Sequence, residues 1–96
     1  MKIQVTLTLS EQSRTFELNG RLGWAMVQLA EAGANGVTPI TRPAPRWSGY
    51  VYDLRELGIP IETIIEPHEG NYPGLHARYV LFCDAEVRFL VPEALT

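Results

Sequence analysis

Two arginines at the ends of a short proline segment are the residues best placed to bind an anion. Arg42 and Arg46 bracket Pro43-Ala44-Pro45, just before a stretch with helical periodicity. The prolines allow one helical turn or an ordered loop here, because each lacks an amide donor and restricts the residue before it. Two arginines beside the N–H groups at the start of a helix could bind adjacent phosphates. The alternative is that both are solvated and pair with Asp53 or Glu56.

Two histidines raise the question of a metal site. His68 and His76 stand at the ends of a loop, with Glu66 and Glu69 nearby, but their spacing matches no metal-ligand motif. Solvated histidines are the favoured interpretation. The single cysteine, Cys83, excludes an internal disulfide and a cysteine-based zinc site. Because no nucleophile triad, phosphate-binding loop or HExxH motif is present, we predict no enzyme activity, no metal and no cofactor.

Composition limits the kind of protein this can be. The chain has 96 residues, of which 46% are hydrophobic and 20% charged, as expected for one globular domain. A net charge of -3 excludes a strongly basic nucleic-acid binder, although it leaves room for a local basic patch. No segment approaches the ~20 apolar residues that cross a membrane, and no signal peptide is visible. We therefore expect a single-domain cytoplasmic protein without membrane contact.

Alternating apolar residues predict strands at both ends of the chain. Residues Lys2–Leu9 alternate without a break, the turn Ser10–Ser13 is polar, and Thr15–Leu18 resumes the alternation. This pattern predicts an N-terminal β-hairpin. The segment Glu86–Val91 alternates more weakly and is expected to add an edge strand to that hairpin.

The period then changes to that of a helix. Asn19 is a candidate N-cap, and Gly33 a candidate C-terminal stop. Between them an apolar stripe recurs at three and four residues, which predicts a helix with one buried face. The stripe consists of Leu22, Ala25, Met26, Leu29 and Ala30.

A second helix is expected from about Trp47 to Leu57, with Ser48 capping its start. Its apolar arc places Trp47 in the core rather than in a base-stacking role. The opposite face exposes Gly49 and Tyr52, together with acidic side chains.

A second hairpin should follow this helix. The segments Ile61–Glu66 and Ala77–Phe82 have strand character, and Pro67–Leu75 between them is rich in glycine, proline and asparagine. We expect Pro67–Leu75 to form a mobile tip.

The junction between the second helix and this hairpin carries a family resemblance. Leu54-Arg55-Glu56-Leu57-Gly58, followed by Ile61-Glu62-Thr63, resembles the recognition helix and first wing strand of small bacterial and phage-type winged helix-turn-helix domains. The resemblance extends from Leu18 to about Phe82.

The resemblance implies an α+β, winged-helix-like fold with two main helices, a degenerate middle helix and a wing hairpin. The extra N-terminal hairpin would occupy residues 1–18, the winged-helix core 19–82 and a tail 83–96. It also implies a small transcriptional or phage-type regulator that binds double-stranded DNA, as a monomer or homodimer. The implied DNA-binding residues are Arg42, Arg46, Ser48, Gly49, Tyr52, His68, Asn71 and Arg78.

Two acidic residues on the exposed face of the second helix keep an alternative open. Asp53 and Glu56 would repel phosphates. The same scaffold could therefore serve as a protein–protein interaction module without DNA binding.

Overall fold

The structure is a computed structural model that describes residues 2–70 and 74–90. Within these ranges the chain forms two helices, five strands and one 3-10 turn. In chain order they are β1 (Lys2–Leu9), β2 (Gln12–Asn19), α1 (Gly20–Ala32), the 3-10 turn (Gly33–Asn35), α2 (Trp47–Glu56), β3 (Ile61–His68), β4 (Gly74–Leu81) and β5 (Asp84–Phe89).

One sheet joins the two ends of the chain. Its strand order is β2-β1-β5, and both pairings are antiparallel. The alternation in β1 buries Ile3, Val5 and Leu7 on one face, where α1 packs. The prediction that the C-terminal segment adds an edge strand is confirmed, although the strand begins earlier, at Asp84. The predicted end of that strand, Val91, lies outside the described residues.

The first hairpin turns more tightly than its polar segment predicts. Only Ser10 and Glu11 form the turn, with φ angles of 48° and 67°. The neighbouring residues Gln12 and Ser13, predicted as part of the turn, already belong to β2. Two positive φ angles are typical of the type I′ turns that match the twist of paired strands.

The first helix buries three residues of the predicted stripe, whereas Leu22 and Ala30 are partly buried, and the helix ends where predicted. Ala25, Met26 and Leu29 are fully buried, and Gly33 ends the helix with a φ of 54°. The helix also begins after Asn19, as predicted, but the Asn19 side chain makes no capping hydrogen bond. The predicted chemistry of that cap is therefore wrong.

The connection between the helices forms one turn, as the prolines require. Thr38 is only 1% exposed, and its hydroxyl accepts hydrogen bonds from the backbone N–H groups of Ile40 and Thr41. The N–H of Arg42 donates to the Thr38 carbonyl at 3.0 Å, which closes a single helical turn. A full middle helix is absent from this described segment, as the sequence predicts.

The same connection is fastened to the base of the wing. Val37 and Tyr79 exchange two backbone hydrogen bonds of 2.8 Å. Gly36 precedes this bridge with a φ of 68°, and a Cβ there would lie 2.7 Å from the Tyr79 carbonyl oxygen. Only glycine fits such a close approach, so the chain can pair with the edge of β4 at this point.

The wing hairpin is longer than the sequence predicts. Pro67 pairs with Leu75 and His68 with Gly74, so the ladder extends into the segment predicted as a loop. Phe82 was predicted to end the second strand, but it follows β4 and donates its N–H to the Pro60 carbonyl. The loop was predicted from its content of glycine, proline and asparagine, which carries no information on the cross-strand contacts that the histidines make.

Both sheets and both helices contribute to one hydrophobic core. The buried hydrophobic residues are Ile3, Val5, Leu7, Leu18, Ala25, Met26, Val27, Leu29, Val37, Trp47, Val51, Leu54, Ile59, Ile61, Tyr79 and Leu81. Neither helix of the described chain combines the length and apolar character needed to cross a membrane.

Candidate nucleic-acid interface

Trp47 anchors α2 in the core, as its periodicity predicts. The side chain is 2% exposed, and its Nε1 donates to the Arg42 carbonyl at 2.6 Å. Its ring lies 5.5 Å from that of Trp24 on α1 and stacks 6.4 Å from Tyr79 on β4. Because these contacts come from α1 and from the wing, they fix the orientation of α2 relative to both.

The opposite face of α2 points outward. Tyr52 is 64% exposed, Ser48, Asp53 and Glu56 are also exposed, and Gly49 is half-buried. Ser48 is the second residue of the helix and makes no capping hydrogen bond, so its predicted capping role is wrong. Its exposure and that of Tyr52 leave both hydroxyl groups open to a ligand.

Arg46 is the exposed cation nearest the start of α2. It immediately precedes the helix, and its guanidinium lies over Gly49, where an added Cβ would be 3.4 Å from Nη2. Within residues 2–70 and 74–90, no carboxylate forms a salt bridge with Arg46. The predicted alternative, pairing with Asp53 or Glu56, is therefore not formed. An anion could approach this guanidinium and the first N–H groups of the helix together.

Arg42 has a different environment. Its Nη1 donates to the side-chain oxygen of Gln28 and to Glu31 Oε2, the latter at 3.2 Å, and both acceptors are on α1. Arg42 thus pairs with an acid, but with neither Asp53 nor Glu56. Its guanidinium is directed to α1, whereas that of Arg46 lies along α2, so the two do not form a joint clamp in this structure.

Arg78 uses all three guanidinium nitrogens in hydrogen bonds within the protein. Its Nε and Nη2 donate to the Glu66 carboxylate at 2.7–3.0 Å, and its Nη1 donates to the Asn35 carbonyl at 2.7 Å. Hydrogen bonds from Arg78 and His76 lower the pKa of Glu66 from 4.5 to about 2, and the same ion pair raises the pKa of Arg78. Arg78 therefore connects the wing to the 3-10 turn.

The two histidines belong to this network and are half-buried, contrary to the prediction of solvated side chains. Their Nδ1 atoms lie 3.1 Å apart, the rings stack at 5.2 Å, and His76 Nε2 lies 2.8 Å from Glu66 Oε1. Both nitrogens of His76 are thus occupied, and no group of three potential metal ligands occurs among the described residues. The remaining implied wing contact, Asn71, lies outside the described residues.

Arg55 has a structural role that the sequence did not reveal. Its Nε and Nη2 donate to the Ile61 carbonyl, and Nη2 also donates to Thr63 Oγ1 at 2.7 Å. These bonds tie the last turn of α2 to the first residues of the wing. The motif spacing placed Arg55 next to the wing strand, but only the structure shows which atoms it binds.

The wing surface that faces α2 carries no charged side chain among its described residues. Strand pairing places Thr63, Ile65, Leu75 and Ala77 on the same face as Tyr79, which stacks on Trp47. Ile65 is 61% exposed and Leu75 is 70% exposed. A ligand between α2 and the wing would therefore meet an apolar surface on the wing side.

The comparisons with known proteins agree with this architecture. A family model described as a winged helix domain matches residues 15–90, which is most of the chain. The match is wider at both ends than the predicted resemblance and includes β5. Neither the search of curated proteins nor that of solved structures gave a significant match. The helices, the wing and the family match together show that this chain belongs to the winged helix domain family.

Proposed function

We propose that the protein binds double-stranded DNA through the N-terminal half of α2. Winged helix domains generally bind DNA, and the helix that follows the connection here exposes one face beside the wing. The observation that carries the proposal is the exposed guanidinium of Arg46 at the helix start, without a carboxylate partner among the described residues. A small transcriptional or phage-type regulator, acting in the cytoplasm as a single domain, is the role we infer for it.

Each exposed residue has a distinct part in this proposal. Arg46, whose guanidinium lies over Gly49, and the first N–H groups of α2 hold a phosphate. Ser48 and Tyr52 provide hydroxyl groups that can reach base edges in the major groove. Arg42 joins the contact only after it leaves Glu31, a surface ion pair that costs little to break.

The wing contributes less charge than the resemblance implies. Arg78 and His68 remain in the Glu66 network, so neither side chain supplies a phosphate contact from the wing. Few phosphates are then neutralised, and the slope of log affinity against log salt should be about -1 to -2 per protomer.

Fluorescence anisotropy with a labelled mixed-sequence duplex tests the proposal. At about 50 mM salt we expect measurable binding that weakens at about 200 mM. Arg46→Ala should lower the affinity and flatten the salt slope by about one unit. Lys2→Ala is the matched control, because Lys2 pairs with Glu17 on the distant sheet. An absence of binding at the lower salt, or an Arg46→Ala variant with an unchanged slope, contradicts the proposal.

A second candidate function is a protein–protein interaction module, and the exposed apolar wing face favours it. Ile65 and Leu75 present the kind of surface that protein interfaces bury, and the nearby carboxylates on α2 disfavour phosphates. The Ile65→Ser and Leu75→Ser changes separate the two functions. They should leave phosphate-driven DNA affinity nearly unchanged, whereas a protein partner held by this face would be lost.

A further inference from the structure

Among the described residues, β5 is an edge strand of the first sheet, and its pairing with β1 fixes the direction of its backbone groups. The N–H of Leu90 donates to the Lys2 carbonyl at 3.0 Å, next to the pairing of β5 with β1. Hydrogen-bonded and non-hydrogen-bonded pairs alternate along an antiparallel ladder, so the even-numbered residues of β5 direct their backbone groups toward β1. The odd-numbered residues, Ala85, Val87 and Phe89, direct theirs away from the sheet.

We propose that a second copy of this chain pairs with this edge, β5 against β5, about a two-fold axis through Val87. In that register Val87 faces its own counterpart, and Ala85 faces Phe89 of the second copy. All three outward-directed residues then fall in hydrogen-bonded pairs, so each of their N–H and C=O groups gains a partner. The result is one continuous sheet of six antiparallel strands.

The charges on β5 suit this register. Glu86 would lie opposite Arg88 of the second copy, and by symmetry the pair forms twice. These are the non-hydrogen-bonded positions, where facing side chains come closest. Within their own sheet the two residues face the uncharged Thr6 and Gln4. Neither forms a salt bridge within the described part of the chain, so both charges are available.

The face of the sheet that carries Ala85, Val87 and Phe89 also fits a second copy at this edge. A groove of about 230 Å³ runs between α1 and β5, and Phe89 at its end is 57% exposed. In the proposed register the large Phe89 ring lies opposite the small side chain of Ala85 of the second copy. Its exposed apolar surface is then covered, which favours association. The groove is lined by Val27, Ala30, Glu31, Ala85, Val87 and Phe89.

The other edge of the sheet offers no comparable match. On β2, Glu17 already pairs with Lys2 at 3.0 Å. Arg14 lies over the Phe16 ring and donates to the Leu57 carbonyl. A second copy at β2 would meet charges that are engaged within the protomer, so β5 is the edge that a second copy fits. This dimer does not depend on DNA binding and goes beyond the proposed function.

Sedimentation equilibrium of the full chain, from about 1 to 200 µM, measures the association. We expect a monomer–dimer equilibrium for the unchanged protein. Arg88→Glu and Glu86→Arg each place like charges opposite one another twice, and each should raise the dimer Kd on the order of tenfold. The double variant Glu86→Arg/Arg88→Glu restores the opposite-charge pairs and should recover the original Kd. Glu62→Arg, which makes the same change of charge as Glu86→Arg but on the wing, should leave the Kd unchanged.

The register is tested separately by NMR on a mixture of labelled and unlabelled protein. The Hα atoms of Glu86 and of Arg88 from the second copy should give an intermolecular NOE, because Cα atoms at such positions lie about 4.5 Å apart. A protein that stays monomeric throughout the range overturns the proposal, and so does a dimer that lacks this NOE. A charge reversal that unfolds the chain leaves the decision to the NOE of the unchanged protein.

Discussion

Arg78 and Glu66 face each other across the wing and form a bidentate ion pair. The guanidinium reaches both carboxylate oxygens at 2.7–3.0 Å, while its remaining nitrogen holds the Asn35 carbonyl. A residue that family resemblance assigns to DNA thus serves to join the wing to the 3-10 turn after α1. Charge alone does not distinguish these two roles, since both require an arginine near the protein surface.

The first prediction concerns the pH dependence of this ion pair. Because the folded pKa of Glu66 is lowered to about 2, the pair contributes its full stability above the ordinary value of 4.5 and loses it as the pH falls through about 2. Glu66→Gln should therefore lower the melting temperature at neutral pH, and the difference from the unchanged protein should vanish toward pH 2. Thermal melts followed by circular dichroism measure this. A difference that is constant over the whole range contradicts the assignment.

The second prediction concerns the link between α2 and the wing. Arg55→Ala removes the hydrogen bonds to the Ile61 carbonyl and to Thr63, and should lower the free energy of unfolding by about 1 kcal/mol. Urea denaturation provides the measurement. Arg46→Ala is the control, because it removes the same charge at the other end of the helix without breaking these bonds. Equal losses in the two variants indicate a general charge effect instead.

The third prediction separates the two contributions of Trp47. Trp47→Phe keeps an aromatic ring in the core but loses the N–H that donates to the Arg42 carbonyl, and should cost about 1–3 kcal/mol of stability. Trp47→Ala also removes the ring and should cost about 3–5 kcal/mol. Chemical denaturation followed by circular dichroism distinguishes the two. If Phe and Ala are equally destabilising, the ring contacts with Trp24 and Tyr79 contribute nothing measurable.

The fourth prediction concerns the first hairpin turn. Ser10 and Glu11 adopt positive φ angles, which Asn and Gly accept more readily than other residues. The double change Ser10→Asn/Glu11→Gly should stabilise the protein by roughly 0.5–2 kcal/mol. Gln12→Gly, one position into β2, serves as the control and should be destabilising. A turn double variant that melts at a lower temperature argues against the type I′ geometry.

The fifth prediction tests whether α2 faces DNA. If it does, Asp53→Asn/Glu56→Gln removes two negative charges from the interface and should raise DNA affinity about three- to tenfold at 50 mM salt. Glu11→Gln, in the distant hairpin turn, should change the affinity little. Anisotropy titrations of the three proteins give the answer. An equal gain per removed charge from Asp53→Asn/Glu56→Gln and from Glu11→Gln indicates an effect of net charge alone and not of this face.

Periodicity predicted the elements of this fold well because the core depends on it. The alternation in β1 and the stripe through Met26 and Leu29 correspond directly to buried faces. Element ends were predicted less well. Ser48 lies inside the helix that it was predicted to cap, and the wing ladder continues past Pro67. Caps and strand ends depend on single contacts, which leave no periodic signal in the sequence.

For the candidate site, the sequence predicted which side chains are exposed but not which groups they bind. The outward positions of Tyr52 and Arg46 follow from helical geometry. The partners of Arg42, Arg55 and Arg78 do not, because each lies on another element or on the backbone. A long, flexible side chain can reach several acceptors, and the sequence holds no information on which of them is nearest.

The close approach of Gly36 to the edge of β4 limits how the wing can move. Val37 is bonded to Tyr79 from one side while Thr63 on β3 pairs with it from the other, so β4 is held on both edges at this level. Arg78, one residue nearer the tip, is also fastened, because it donates to the Asn35 carbonyl. Any hinge in the wing must therefore lie beyond Arg78, toward the tip. We therefore expect a ligand to displace only the outer part of the wing, while the base keeps its place against Trp47.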